Sequence, residues 1–225
     1  MGRLATGASA FTTFVQVAPR LASLIGQMRP TWRVRSLAEV TPAFLRANGV
    51  RGLIWDVDGT LSGDRQRELI PESAAPFRAL LADAGLCHAI LSNASEERFL
   101  QLGEMFPTIP ILRGYFLRGE LLFRKIARGA DCWTPDELAA RLAAGAHVVR
   151  KPSAELMELA LRELACTKGE AVMIGDQYLT DVAGANLAGV RSIKLPTLAP
   201  ETFRRTVRLG QIAENVVYAL AHGSR

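Results

Sequence analysis

Short, unbroken apolar runs recur along this 225-residue chain, separated by segments with helical spacing. The runs are "GLIW" (52–55), "CHAIL" (87–91), "IPIL" (109–112), "HVV" (147–149), "AVMI" (171–174) and "VRSI" (190–193). "ESAAPFRALLADAG" (72–85) and "SAELMELALRELA" (153–165) are two of the helical segments between them. Strands without polar alternation are buried on both faces, and such strands alternating with helices build a mainly parallel sheet with helices on either side. The expected fold is therefore α/β, a Rossmann-like three-layer sandwich with a mainly parallel central sheet. Ser153 is placed to cap its helix, and Gly85 and Gly189 sit where helices should stop. Arg113 to Ala146 is the longest interval without clear strand signal, and is expected to be a small insertion or an extra helical hairpin rather than a large cap.

In a sheet of this kind ligands collect beyond the carboxyl ends of the strands. The residues just after the apolar runs are thus the candidates for chemistry. They are Asp56 and Asp58 after the first run, Ser92 and Asn93 after the second, Lys151 after "HVVR", and Asp176 with Asp181 after "AVMIG". Ionised carboxylates are expensive to desolvate and stay close together only where something offsets their charge. A hard divalent cation, Mg²⁺ above all, does this with oxygen ligands, and can bridge a carboxylate to a phosphate. A carboxylate can also attack phosphorus, while a second one protonates the leaving alkoxide and later takes a proton from water. A lysine and a hydroxyl can hold the remaining phosphate oxygens.

These residues carry a family resemblance. "DVDGTL" (56–61), "ILSNAS" (90–95), "KPS" (151–153) and "GDQYLTDVAGANLAG" (175–189) resemble, in order, the four motifs of the haloacid dehalogenase-like phosphatases. The resemblance implies Asp56 as nucleophile, Asp58 as general acid/base, and Lys151 as the cation that steadies nucleophile and phosphate. Ser92 would bind phosphate, with Asn93, Gly59 and Thr60 alongside it in the same loops. Mg²⁺ would be held by Asp56, Asp176 and the backbone carbonyl of Asp58, with Asp181 supporting the metal directly or through water. The stretch from Met28 to Leu61 and the "GDQ…TD" pattern are also similar to the phosphatidylglycerophosphate phosphatase-like branch of subfamily III. Gly59 departs from that branch, which often has Asn there, and the interval from Ser92 to Lys151 is longer than the branch implies. A lipid head-group phosphate is the substrate expected from this narrower likeness. The alternatives are a soluble sugar or nucleotide phosphatase of the same superfamily, and a non-catalytic binding module that keeps the fold.

The rest of the sequence bounds where such a protein works. The balance of 27 basic to 22 acidic residues, net +5, favours anionic partners without choosing among them. Nucleic acid is not the expected one. Cys87, Cys132 and Cys166 are odd in number and widely spaced, which argues against a disulfide framework or zinc site and for a reducing compartment. Residues 1–29 show no run approaching the ~20 apolar residues of a membrane span, and no signal-peptide core. Within them, Phe14, Val17, Leu21 and Leu24 or Ile25 fall near one helical face, which either packs on the 30–225 domain or lies on a membrane. The basic and aromatic residues of the 113–146 insertion admit the same two readings. The expected location is cytoplasmic, with peripheral contact at the inner face of a membrane.

Overall fold

A computed structural model describes residues 21–223. Its nine-stranded sheet has the spatial order β1-β9-β8-β2-β3-β4-β5-β6, with β7 also paired to β4. The strands are β1 (Trp32–Arg33), β2 (Gly52–Trp55), β3 (Cys87–Leu91), β4 (Ile111–Leu117), β5 (Glu120–Ala127), β6 (Ala130–Asp131), β7 (His147–Val149), β8 (Ala171–Gly175) and β9 (Arg191–Lys194). From β1 to β4 every neighbouring pair is parallel. The helices are α1 (Leu21–Gly26), α2 (Pro42–Ala47), α3 (Pro71–Leu81), α4 (Glu96–Met105), α5 (Pro135–Ala143), α6 (Ala154–Leu164), α7 (Ala183–Ala188) and α8 (Arg205–His222).

Alternate residues of the central strands face opposite layers, so both must be apolar. Leu53 and Trp55 point into a core with Phe77 and Leu80 of α3 and Phe99 and Leu102 of α4. Ile54, between them, joins Met157 and Ala160 of α6 and Ala185 and Ala188 of α7 on the other side. Trp55 meets Phe77 edge-on at 5.0 Å. Gly189 ends α7 at φ 72°, as its position in the sequence predicts, because a left-handed C-terminal residue is nearly free of strain only for glycine. Ser153 occupies the N-cap of α6, but its hydroxyl bonds the Glu155 carboxylate instead of the helix backbone.

The interval 113–146 departs from the expectation of an extra helical hairpin. Its first residues belong to central strand β4, and β4 turns into an antiparallel partner, β5. The turn is Arg118–Gly119, with φ of 50° and 90°, and a second such pair, Arg128–Gly129 at 52° and 75°, leads into β6. Two successive positive-φ residues are the tight-hairpin geometry most often announced by Asn-Gly; here Arg-Gly hides it. Among its basic residues, Arg113 and Arg124 face inward. Both are buried, both bond Glu96, and Arg124 also binds Asp131. Lys125 pairs with Glu163 on α6. Arg113, Arg124 and Lys125 thus tie the hairpin to the flanking helices α4 and α6, while Arg118 and Arg128 at its turns stay exposed.

Helix α8 packs on α1 and on the Tyr178–Val182 segment that follows β8, without one fully buried side chain. It is attached by Tyr218 stacked on Tyr178 at 3.9 Å, by His222 2.8 Å from the carbonyl of Ile25, and by Glu214, which accepts a bond from the Leu179 N–H. Burial pushes the Glu214 carboxyl up from 4.5 to about 7. A carboxyl with a raised folded-state pKa contributes stability below its unfolded value and loses it as pH rises through the folded one. In chelator, melting temperature should therefore fall as pH rises through about 7, and a pH series of thermal melts should show a shallower fall for Glu214→Gln.

Candidate active site

The carboxyl ends of β2, β3, β8 and the β7 extension bring the predicted residues to one rim. Asp56 continues β2 by one residue, its N–H bonded to the Ile174 carbonyl at 2.9 Å. The chain then coils tightly, with the Val57 carbonyl accepting from the N–H groups of Thr60, Leu61 and Ser62. Gly59 makes this turn at φ 89°, and a Cβ there would lie 2.8 Å from Asp176 Oδ2 and 3.1 Å from the Phe203 ring. A side chain at position 59 would therefore need Asp176 or Phe203 to shift, besides adopting a positive φ. Gly175 serves Asp181 in the same way, since a Cβ on Gly175 would fall 2.3 Å from its carboxylate.

Lys151 reaches the centre because of how β7 is paired. β4 is longer than its parallel neighbour β3, and β7 fills the space beyond the end of β3 by pairing antiparallel with Gly114–Phe116. Chain leaving β7 therefore arrives beside the loop that leaves β3. Asn93 joins the two: its Oδ1 accepts from the Lys151 N–H at 2.8 Å and its Nδ2 donates to the Lys151 carbonyl at 3.1 Å. Asn93 thus spends its amide on positioning the lysine backbone. Lys151 Nζ then lies 2.7 Å from Asp56 Oδ1 and 2.6 Å from Asp181 Oδ1, all three side chains nearly inaccessible to solvent.

Asp56, Asp176 and Asp181 can each offer an oxygen within 4.8 Å of the others. Burial pushes Asp56 up to about 7, with Lys151 pulling it back and Asp181 adding to the rise. Burial likewise raises Asp176, reinforced by the charge of Asp56. Burial alone would favour a neutral Lys151, but the carboxylates of Asp181 and Asp56 hold its ammonium above the ordinary lysine range. Asp176 Oδ1 is buried with no hydrogen-bond partner. Three buried hard-oxygen donors, one with an unanswered oxygen, suit a small divalent cation. Thr60 Oγ1, also buried, likewise has no partner, and Ser92 sits half-buried at the end of β3.

Asp58 stands apart from this cluster. Its carboxylate turns to Arg98 in the first turn of α4, at 3.1 Å from Nε and 2.7 Å from Nη2. Burial raises the Asp58 carboxyl and Arg98 counters it. Arg98 is 3% exposed and also bonds the Gln66 carbonyl and Ser62 Oγ. Sequence reasoning missed this residue, although a cation in the first turn of a helix opposes the helix dipole and so hints at a dedicated partner. Lys194 was missed too. It ends β9, with Nζ 4.6 Å from the Tyr178 ring and its charge felt by Asp176.

A buried carboxylate held by an ammonium, beside two further buried carboxylates, is an arrangement compatible with phosphoryl chemistry. Comparisons with known proteins agree with this class. The HAD-hydrolase-like family model matches residues 148–197, which hold Lys151, Asp176 and Asp181. "Probable phosphatase YqeG" of Bacillus subtilis (strain 168) is 25% identical over 166 residues, 74% of this chain and 76% of that protein. The human "phospholysine phosphohistidine inorganic pyrophosphate phosphatase" is 30% identical over 189 residues, and the match spans 78% of this chain and 64% of that one. An uncharacterized protein from Listeria monocytogenes serotype 4b superposes with a TM-score of 0.44 at 21% identity, over 69% of this chain and 83% of that one. The chain is thus similar, over residues 148–197, to the HAD-hydrolase-like family and, more broadly, to two proteins named as phosphatases, spanning less than two thirds of the human one.

Arg98→Ala should leave Asp58 buried without its cation. Removing one partner of such a pair costs roughly 2–4 kcal/mol at this degree of burial, and Arg98→Lys should recover only part, since one ammonium cannot reproduce the fork. Chemical denaturation of the three proteins measures both.

Proposed function

We propose that the chain is a Mg²⁺-dependent phosphomonoester hydrolase acting through an aspartyl-phosphate on Asp56, with a lipid head-group phosphate such as phosphatidylglycerophosphate as substrate. The observation that carries the chemistry is the Lys151 ammonium shared between Asp56 and Asp181, next to the partnerless oxygen of Asp176. Asp56, Asp176 and Asp181, with the Asp58 backbone carbonyl, would hold the cation. A bound Mg²⁺ would neutralise the repulsion between phosphate and carboxylate.

The residues of the chain then divide the work. Lys151 keeps Asp56 oriented and its carboxylate form available. An Asp56 oxygen attacks phosphorus, the bond from phosphorus to the ester oxygen breaks, and Asp58 delivers a proton to the departing alkoxide. Asp58, now a carboxylate, takes a proton from the water that attacks the aspartyl-phosphate, which releases inorganic phosphate and restores Asp56. Arg98 holds Asp58 at the edge of the site, where a leaving group can meet it. Ser92 and Thr60 offer hydroxyls at the loops that a phosphate would enter.

The lipid substrate rests on the motif resemblance and on a site without a large covering domain. Only α3 and its flanking loops lie between β2 and β3, and the β4–β5 hairpin extends the sheet sideways. A bulky, surface-bound ester fits such a site. The soluble-substrate alternative is tested in the same panel: phosphatidylglycerophosphate, sugar phosphates, nucleotides, and the pyrophosphate and phosphoamino acids that the human relative's name suggests. Strong preference for any soluble member would replace the lipid reading.

With Mg²⁺, the purified protein should release phosphate from an aryl phosphate, and chelation should stop it. Asp56→Asn should form no acid-stable phosphoenzyme from labelled substrate. Asp58→Asn should lose about 10²–10⁴-fold in rate, the usual effect of removing a general acid/base, while still accepting label. Equal labelling of wild type and Asp56→Asn would remove the nucleophile assignment.

A further inference from the structure

Helix α8 has an asymmetry that phosphoryl chemistry does not use. Its inner side is occupied: Gln211 Nε2 lies 3.4 Å from Asp176 Oδ2, Glu214 holds the Leu179 N–H, and Tyr218 covers Tyr178. Its outer side is apolar, and no described residue covers it. Leu209, Ile212, Val216 and Leu220 are 64%, 57%, 52% and 83% exposed. Their spacing of three or four residues sets them along one stripe, whereas surface apolar residues are ordinarily scattered singly.

The charges on this helix are equally one-sided. Arg205 and Arg208 are exposed in its first turns, and its single acidic residue, Glu214, faces the body of the protein. Cations at a helix N-terminus oppose the dipole, so they do not stabilise the helix they belong to. A basic end on an apolar stripe is the pattern of helices that lie in the plane of an anionic membrane surface. A second copy of this chain would bring no acidic side chain on the same face to meet the arginines.

We propose that the outer face of α8 is a docking surface for an anionic lipid bilayer. Leu209, Ile212, Val216 and Leu220 would enter the acyl boundary, with Arg205 and Arg208 at the head-group phosphates. Because the inner face of α8 touches Asp176, docking here sets the acid cluster beside the bilayer, where a lipid-borne phosphate ester need not leave the membrane to be reached. This purpose rests on the lipid reading above, but the contact itself is measurable without turnover.

The test is co-sedimentation of the full chain, in chelator, with phosphatidylglycerol-containing vesicles and with pure phosphatidylcholine vesicles. Binding should favour the anionic vesicles and weaken with salt. Val216→Glu/Leu220→Glu should lower it roughly tenfold or more, as expected when apolar anchors become anionic, with helix content and aryl-phosphate hydrolysis in solution unchanged. Undiminished binding by this variant would overturn the assignment, as would absence of binding by folded, active wild type. So would a wild-type dimer that the variant converts to monomer without any vesicle binding. Vesicle binding that depends on Val216 and Leu220 in a protein that hydrolyses no phosphate ester would support the docking face and sink the phosphatase reading alone.

Discussion

The site depends on one buried ammonium. Lys151 is separated from Asp56 by 95 residues and from Asp181 by 30, yet it bonds both within 2.7 Å. Without it, two carboxylates would face each other and Asp176 in a desolvated space, and the expected outcome would be protonation or local unfolding. With it, Asp56 stays ionisable and oriented. Lys151, with Lys194 near Asp176, sets two ammonium groups against three carboxylates, which still leaves the centre short of positive charge. That deficit suits a bound cation.

The strand arrangement can be understood as the means of delivering that lysine. Two parallel strands place their carboxyl ends side by side but leave no route for a third segment between them. β4 provides the route by outrunning β3, so that β7 pairs where β3 has stopped. Asn93 closes the junction with two bonds to the Lys151 backbone. Arg113 and Arg150 fasten the same loop from behind, to the carbonyls of Ala94 and Asn93. Placement of a single side chain thus draws on a strand register, an amide clamp, a buried guanidinium and a half-buried one. Each belongs to a different element, so the centre is stiff although no one element defines it.

Much of this was legible in the sequence, for a physical reason. A buried parallel strand must be apolar on both faces, and polar residues at its end stand out against that background. Hence β2, β3 and β8 were placed nearly to the residue, with Asp56 and Asp176 just beyond β2 and β8, whereas the antiparallel, only partly buried β7 was legible only as a short apolar run before Lys151. The β4–β5 hairpin was not, because Arg-Gly turns lack the usual turn signature and because its arginines resemble solvent-facing residues until Glu96 and Asp131 appear beside them. Arg98 and Lys194 stayed hidden since their partners lie on other elements, and a sequence displays a charge without displaying what it faces. Of the amphipathic helix expected near Phe14 to Met28, residues up to 20 lie outside the described ones, while the rest holds α1 and buries Leu24 and Met28 against Tyr178 and Val182.

Asp58 and Asp56 show how one short motif yields two different carboxylates. They lie two residues apart, which in a continued strand would set both on one face, but the chain coils tightly straight after Asp56 and turns Asp58 towards Arg98 instead. Asp56 meets an ammonium and other carboxylates in a space closed to solvent. Asp58 meets a guanidinium and keeps 18% of its side chain exposed. A nucleophile gains from being fixed and dry, since its attack needs one geometry and no competing water. An acid that hands a proton to a leaving group and takes one back from water needs contact with solvent and a neighbour that tolerates both of its states. Arg98 offers bonds to Ser62 and Gln66 as well as to Asp58, so it remains held in place as the Asp58 charge comes and goes. The difference in environment, more than the identity of the two residues, is what would separate the roles proposed for them.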